Sequence, residues 1–192
     1  MKKKALVLLA LVGLAGTARA DSGWGVGGSY WAPDKLDAAG GIGAKISLEI
    51  APHAVLDLGS TWFESFEDKS GNSTTSLDII PLDIGLSFVT GTRPVDVYVK
   101  GGYTYYNIDG SIYTDGRKQD VSFGDSSGFY AGIGLEVPLS EHPDVTGATR
   151  ITFLVEGLYR YISIDEIATR GDSYVGGAVG GPCVNAGFML RW

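Results

Sequence analysis

The chain has 192 residues, 44% of them hydrophobic, with 29 glycines, ten tyrosines and a formal net charge of −7. That acidic balance excludes a nucleic-acid-binding surface, which needs the opposite sign. The single cysteine, Cys183, excludes an internal disulfide framework, and with only two histidines beside it no structural metal site and no cofactor is expected.

Lys2, Lys3 and Lys4 precede an unbroken apolar or glycine stretch from Ala5 to Gly16, and Ala18-Arg19-Ala20 then offers small residues to a signal peptidase. Residues 1–20 are therefore expected to be a cleaved secretory signal, too short to span a bilayer. No cysteine follows the cleavage point, so no lipoprotein anchor is expected. The signal takes four of the 15 basic residues, leaving residues 21–192 with 11 against 22 acidic ones. Those residues are expected to form one domain.

Alternation with period two then recurs between turn signals, the pattern of half-exposed strands. Gly23 to Trp31 sets Trp24, Val26 and Tyr30 against Gly23, Gly25, Gly27 and Ser29. After a polar loop, Ala32 to Ala39, the segment Gly41 to Ala51 opposes Ile42, Ala44, Ile46, Leu48 and Ile50 to Gly43, Lys45, Ser47 and Glu49. Ala51-Pro52-His53-Ala54 is a tight turn. Val55 to Glu64 puts Leu56, Leu58 and Trp62 opposite Asp57, Gly59 and Thr61, and a charged loop, Ser65 to Thr75, follows. In Ser76 to Val89 the apolar phase moves by one residue beside Pro81, which predicts a β-bulge there.

Thr90 to Pro94 turns the chain into Val95, Val97, Val99, Tyr103 and Tyr105, opposed to Asp96, Tyr98, Lys100, Gly102 and Thr104. Asp109 to Asp125 is read as a long polar loop. Phe129, Ala131, Ile133, Leu135 and Val137 then oppose Tyr130, Gly132, Gly134 and Glu136, before a longer turn from Pro138 to Ala148. Ile151, Phe153, Val155, Tyr159 and Tyr161 oppose Thr152, Glu156 and Arg160. The loop Ser163 to Val179 leads to Val184, Ala186, Phe188, Leu190 and Trp192, opposed to Asn185, Gly187 and Arg191. The count is eight strands and no helix after the signal.

One face of these strands is nearly free of charge, whereas the other carries Lys45, Glu49, Asp57, Asp83, Asp96, Lys100, Glu136, Glu156, Arg160 and Arg191. A lipid-facing Arg or Lys costs about 2–4 kcal/mol at the bilayer midplane, so an uncharged outer band is the expected result of selection. A closed barrel is also the only sheet that satisfies every backbone group in hydrocarbon. The reading is an all-β, eight-stranded antiparallel up-and-down transmembrane barrel with its apolar face outward. An even strand number puts both termini in the periplasm and the first, third, fifth and seventh connections outside. Trp24, Tyr30, Trp62, Tyr103, Tyr105, Tyr159 and Tyr161 lie near strand ends, where an aromatic girdle belongs.

The last segment resembles the C-terminal signal read by the bacterial barrel-assembly machinery: polar Asn185, Gly187, hydrophobic Leu190 and aromatic Trp192. Leu190 stands where an aromatic is often found. With Ile80-Pro81-Leu82, Lys100-Gly101-Gly102-Tyr103 and Tyr130-Ala131-Gly132-Ile133-Gly134, residues 21–192 resemble the small outer-membrane β-barrel superfamily of opacity proteins and outer membrane proteins A and X. The resemblance implies the outer membrane of a Gram-negative cell and contact with outer-membrane lipid and lipopolysaccharide. It also implies insertion by the assembly machinery and a monomer. No peptidoglycan-binding domain is expected after the barrel.

Function divides into four readings. A structural or surface-interaction barrel would have its lumen plugged by the inward ion pairs, with Tyr98 and Tyr130 helping to block it, because eight strands leave room only for side chains. A small passive channel needs a water path past those charges. A lipid-modifying enzyme needs a base within reach of its nucleophile at the outer rim, but His53 and His142 both fall in predicted periplasmic turns, so no catalytic residue is assigned. A periplasmic lipocalin-like binder, its apolar face inward, leaves the Trp192 signal unexplained.

The acidic outer loops (Glu64, Glu67, Asp68; Asp109, Asp115, Asp120, Asp125; Asp165, Glu166, Asp172) lack the ordered spacing of a calcium loop and are expected to be solvated or to meet an extracellular partner. Lys69, Arg117, Lys118 and Arg170 are candidate contacts for lipopolysaccharide phosphates. Cys183 is expected inward as a small apolar filler.

Overall fold

A computed structural model describes residues 22–70, 73–90, 95–114, 117–122, 126–139, 149–168 and 174–192. The expected signal segment and His142 lie outside them. The strands are β1 (Gly23–Trp31), β2 (Ala39–Ala51), β3 (Ala54–Ser70), β4 (Ser73–Val89), β5 (Asp96–Thr114), β6 (Arg117–Ser122), β7 (Ser126–Pro138), β8 (Arg150–Ala168) and β9 (Tyr174–Arg191). Every neighbouring pair is antiparallel. The β1–β9 ladder joins the first strand to the last, and the β4–β5 pairing completes the ring, so eight staves close a barrel. The short β6 pairs only with the far half of β5 and lies outside that ring. Closure leaves no sheet edge along the wall.

Ser22, Trp192 and the last residues of β2, β4 and β7 lie at one end, the terminal end. The last residues of β1, β3 and β8 lie at the other, the hairpin end, where β5 also runs on to pair with β6. At the terminal end Pro52 and His53 form a two-residue turn in which His53 has φ 65°. Proline followed by a positive φ is the type II arrangement, which splays hairpin strands. The β2–β3 register slips between Glu49 and Ala51, beside that turn.

Two sequence expectations are corrected. The polar stretches Ser65–Thr75, Asp109–Asp125 and Ser163–Val179 are largely strand: β3 and β4 run on to Ser70 and from Ser73, and β5 folds back on β6. Loop-like composition misled there because a hairpin above a membrane turns a polar face outward. The phase change beside Pro81 is no bulge, since β4 pairs with β5 without a slip from Ser73 to Val89. The irregularity lies instead on β3, between Phe63 and Phe66. Thr61 and Trp62 are not bridged to β4 where they face Pro81 and Ile80, and the Pro81 nitrogen has no hydrogen to give.

What changes along β4 is which side is apolar. Leu77 and Ile79 point inward and are fully buried, whereas Leu82, Ile84, Leu86 and Phe88 point outward and are exposed. The same inversion recurs on β5, where Tyr106 and Ile108 are buried inside and Val97, Val99 and Tyr103 are exposed outside. Outward charges Glu64, Asp78 and Asp109 are exposed and come only beyond Trp62, Ile80 and Tyr105.

Candidate functional site: a two-layered lumen

The barrel interior holds two layers. The first, from the terminal end to mid-barrel, is polar. Inward parity on β2, β3, β4, β5, β7, β8 and β9 brings four cations, Lys45, Lys100, Arg160 and Arg191, among four carboxylates, Asp57, Asp83, Glu136 and Glu156. The set is charge-neutral, as burial demands, because an unpaired ion in low dielectric is far more costly than a paired one.

Glu156 is the hub. Its Oε1 accepts from Lys45 Nζ at 2.7 Å, Tyr98 OH at 2.8 Å and Lys100 Nζ at 3.0 Å, and its Oε2 accepts from Asn185 Nδ2 at 2.9 Å. Lys100 also reaches Asp57 Oδ2 at 3.6 Å, while Ser47 Oγ donates to Asp57 Oδ1 at 2.6 Å and Ser87 Oγ donates to Oδ2. Arg160 forms a two-pronged pair with Asp83, at 2.9 and 2.7 Å, and Thr104 Oγ1 donates to the same carboxylate at 2.7 Å. Nearer the terminal end Arg191 grips Glu136 through Nε at 2.6 Å and Nη2 at 2.5 Å, with Thr152 Oγ1 donating to Glu136 Oε1. Two-pronged guanidinium–carboxylate pairs of this kind combine energy with fixed geometry.

Two tyrosine rings lie along the lumen wall between these groups. Lys45 stands 5.6 Å from the Tyr98 ring, and Lys100 and Arg160 lie 5.7 and 5.4 Å from that of Tyr130. Each ring lies over bare backbone: a side chain at Gly134 would overlap Tyr98, and one at Gly85 or Gly102 would overlap the Tyr130 hydroxyl. A cavity of about 70 Å³ remains on the opposite wall, where Gly25, Gly27, Gly43, Gly59 and Gly187 face Lys45, Asp57, Lys100 and Glu156. That volume admits a few waters.

The second layer, toward the hairpin end, is apolar. Trp31, Phe63, Phe66, Leu77, Ile79, Tyr106, Ile108, Ile162, Val179 and Cys183 form one buried cluster. Trp31 meets Phe63 and Phe66 with ring centroids 5.7 and 5.3 Å apart, the second pair edge-on. Cys183 is 1% exposed, and its thiol donates to Asn185 Oδ1 at 3.4 Å.

Of the ten inward charges read from the sequence, the structure brings eight into these clusters. Asp96 sits at the terminal rim, 4.0 Å from Arg150 Nη2, and Glu49 joins none of the clusters, its backbone N–H donating to Ser22 Oγ at 3.3 Å. The sequence reading placed Ser47, Thr104, Thr152 and Asn185 on the polar face without assigning them to the charge network, and it missed Ser87 and Arg150. The hydroxyls share the charged residues' parity, which was the available clue. Trp24, Tyr30, Trp62, Tyr103, Tyr105, Tyr159 and Tyr161 stand on the outer wall, 36–57% exposed. Gly187 faces the lumen opposite Gly27, Leu190 faces outward, and Trp192 N–H donates to Ser22 O at 3.0 Å. His53 lies in the β2–β3 turn at the terminal end, with Val89 N–H donating to its carbonyl at 2.9 Å. Lys118 is exposed on β6. The side chains of Glu67, Asp68, Lys69, Arg117, Asp120, Asp165 and Glu166, and all of Asp115, Asp125, Arg170 and Asp172, lie outside the described residues. Among the described residues no group of three His, Cys, Asp or Glu side chains is arranged to hold a metal ion.

Solved structures share this architecture. Neisserial surface protein A matches with a TM-score of 0.57 at 15% identity, over 89% of this chain and 97% of its own. The outer membrane protein OprG of Pseudomonas aeruginosa gives 0.58 at 14%, over 93% and 98%. The attachment invasion locus protein of Yersinia pestis, bound to the heparin analogue sucrose octasulfate, gives 0.53 at 13%, over 91% and 99%. These identities establish the fold alone. No curated protein sequence matches the chain. The family model for the outer membrane protein beta-barrel domain matches residues 5–179, and with the closed barrel, its apolar outer wall and its charged lumen the chain belongs to that family.

Proposed function

We propose that the protein is a closed-lumen barrel of the bacterial outer membrane that anchors and displays the hairpins at its far end. The observation that carries this reading is the lumen itself: a charge-neutral set of four cations and four carboxylates beneath a packed apolar layer. An ion entering would have to break charge-assisted bonds in one layer and cross a dry one in the other. Both layers obstruct it.

In this reading residues 1–20 are removed on export, the terminal end faces the periplasm, and the barrel inserts as a monomer through the assembly machinery using Asn185, Gly187, Leu190 and Trp192. The seven wall aromatics contact the membrane interfaces, and the hairpin end meets lipopolysaccharide and an extracellular partner. The Yersinia neighbour forms a complex with the heparin analogue sucrose octasulfate, which supports a binding role for a barrel of this architecture.

A second reading, a passive channel for ions or small solutes, draws support from the glycine-walled cavity beside Lys45 and Lys100. Planar-bilayer recording of the refolded residues 21–192 separates the two. Stable insertion without current steps is expected, and reproducible single-channel steps would replace the closed barrel with the channel.

A further inference from the structure

We infer that the β1–β2 connection, residues 32–38, is a strap that seals the outer mouth of the lumen and whose release opens the apolar layer to water. The inference rests on the closed-lumen reading above.

The strap first runs on along β9 in the register of β1, beyond the end of that short strand. Ala32 N–H donates to Pro182 O at 2.9 Å and Asp34 N–H to Gly180 O at 2.8 Å, and Asp34 Oδ1 accepts from Gly180 N–H at 3.0 Å. The strap thus continues the β1 ladder by side-chain and backbone bonds where regular pairing has ended at Trp31 and Cys183. Gly181 permits the approach: a Cβ there would lie 2.6 Å from Pro33 Cα and overlap the Ala32 carbonyl. Pro33 is buried, and Leu36 packs against the apolar cluster of Trp31, Phe66 and Val179, whereas its neighbours Asp34, Lys35 and Asp37 are exposed.

This is the pattern of a closure element. One apolar residue is inserted into the mouth, charges face solvent on either side, and three hydrogen bonds hold it to one stave. The polar layer below is fixed by many coupled ion pairs from opposite walls, and the apolar layer by interlocked rings. The strap is held by these bonds and by Leu36, so among the described residues it can detach without breaking the regular β1–β9 pairing, which ends at Trp31 and Cys183.

Cys183 reports on it. The thiol is the only one in the chain, buried in the apolar layer and level with Trp31. The experiment measures the rate at which a charged, membrane-impermeant maleimide labels Cys183 in the refolded residues 21–192 in phosphatidylcholine vesicles. Asp34→Ala and Leu36→Asp are compared with the unaltered protein, and Asp34→Asn serves as the conservative control that keeps an acceptor. Heat-dependent gel mobility confirms that each variant is folded, and bilayer recording is run on the same preparations. Slow labelling of the unaltered protein and Asp34→Asn is expected, with at least tenfold faster labelling of Asp34→Ala and Leu36→Asp. Equal rates in all folded forms, with no current steps from the unaltered protein, would overturn the strap and leave the closed lumen standing. Current steps from the unaltered protein would remove the closed-lumen reading and the strap's sealing role with it.

Discussion

The Arg160–Asp83 pair offers the sharpest test of how dry the polar layer is. Arg160 is 1% exposed, bonded to Asp83 through both terminal nitrogens, and its guanidinium lies 5.4 Å from the Tyr130 ring. Asp83→Asn keeps the shape and removes the charge, stranding a buried guanidinium. Breaking a buried pair by removing one partner costs about 3–5 kcal/mol. The Tyr130 ring retains part of the stabilisation, since a desolvated cation–π contact is worth up to about 2 kcal/mol. The expected loss therefore lies near the lower end, about 3 kcal/mol. Replacing both partners with apolar residues of similar length, Asp83→Leu with Arg160→Met, removes both desolvation costs together and should fall within about 1 kcal/mol of the unaltered protein. The two changes would then be strongly non-additive.

Urea titration of the barrel in lipid vesicles, followed by fluorescence of its four tryptophans, reads both quantities. Repeating the titration at high salt adds a control, because a buried pair is little screened whereas an exposed one weakens within a Debye length. A loss below about 1 kcal/mol for Asp83→Asn, or one that shrinks with salt, is the behaviour of a solvated pair. Either result would mean that water reaches Arg160 through the neighbouring cavity, and the argument for a plugged lumen would fail.

Three further outcomes follow from the same packing. Phe66→Ala removes a fully buried ring from the apolar layer and should cost about 3–5 kcal/mol in the same titration, with the membrane-spanning wall intact by circular dichroism. Gly134→Ala puts a methyl group where the Tyr98 ring lies, so Tyr98 must give up its bond to Glu156; a loss of about 1–3 kcal/mol is expected, and Tyr98→Ala in the same chain should relieve the overlap part of that loss. His53→Gly relieves a non-glycine residue at φ 65° and should stabilise the barrel by up to about 1 kcal/mol, measured as a higher urea midpoint.

Much of the wall was legible because a strand's two faces obey one rule over its membrane-spanning length. From Leu82 to Phe88, and from Val97 to Tyr105, alternation assigns every outward residue correctly, since lipid tolerates no charge there and the lumen accepts the polar residues and glycines. The composition of the charged lumen followed from the same parity. Its wiring did not. Nothing in the spacing says that Glu156, rather than Asp57 or Asp83, gathers two lysines, a tyrosine and an asparagine, because that depends on the stagger of opposite staves and on which glycines leave room for Tyr98 and Tyr130. Parity put the hydroxyls of Ser47, Thr104 and Thr152 on the inward face, but which carboxylate each one completes depends on the same stagger.

The stretches beyond the wall were misread for a different cause, and the cause locates the membrane. On β4 the inward residues change from Asp83 to Ile79 and Leu77 while the outward ones change from Leu82 to exposed Asp78. On β5 the inward side passes from Lys100 to Tyr106 and Ile108 while the outward side passes from Tyr105 to exposed Asp109. On these two strands the periodicity never breaks; the environment on each side does. Below the change, hydrocarbon surrounds a polar lumen, and above it water surrounds an apolar one, so the hydrophobic pattern keeps its period and reverses its sign. A reading that demands one apolar face per strand sees a phase slip at Ile80-Pro81 and a loop after Glu64. Once the inversion is recognised, Trp62, Ile80 and Tyr105 mark the last outward residues that lipid can cover, and they fix the height at which the hairpins enter water.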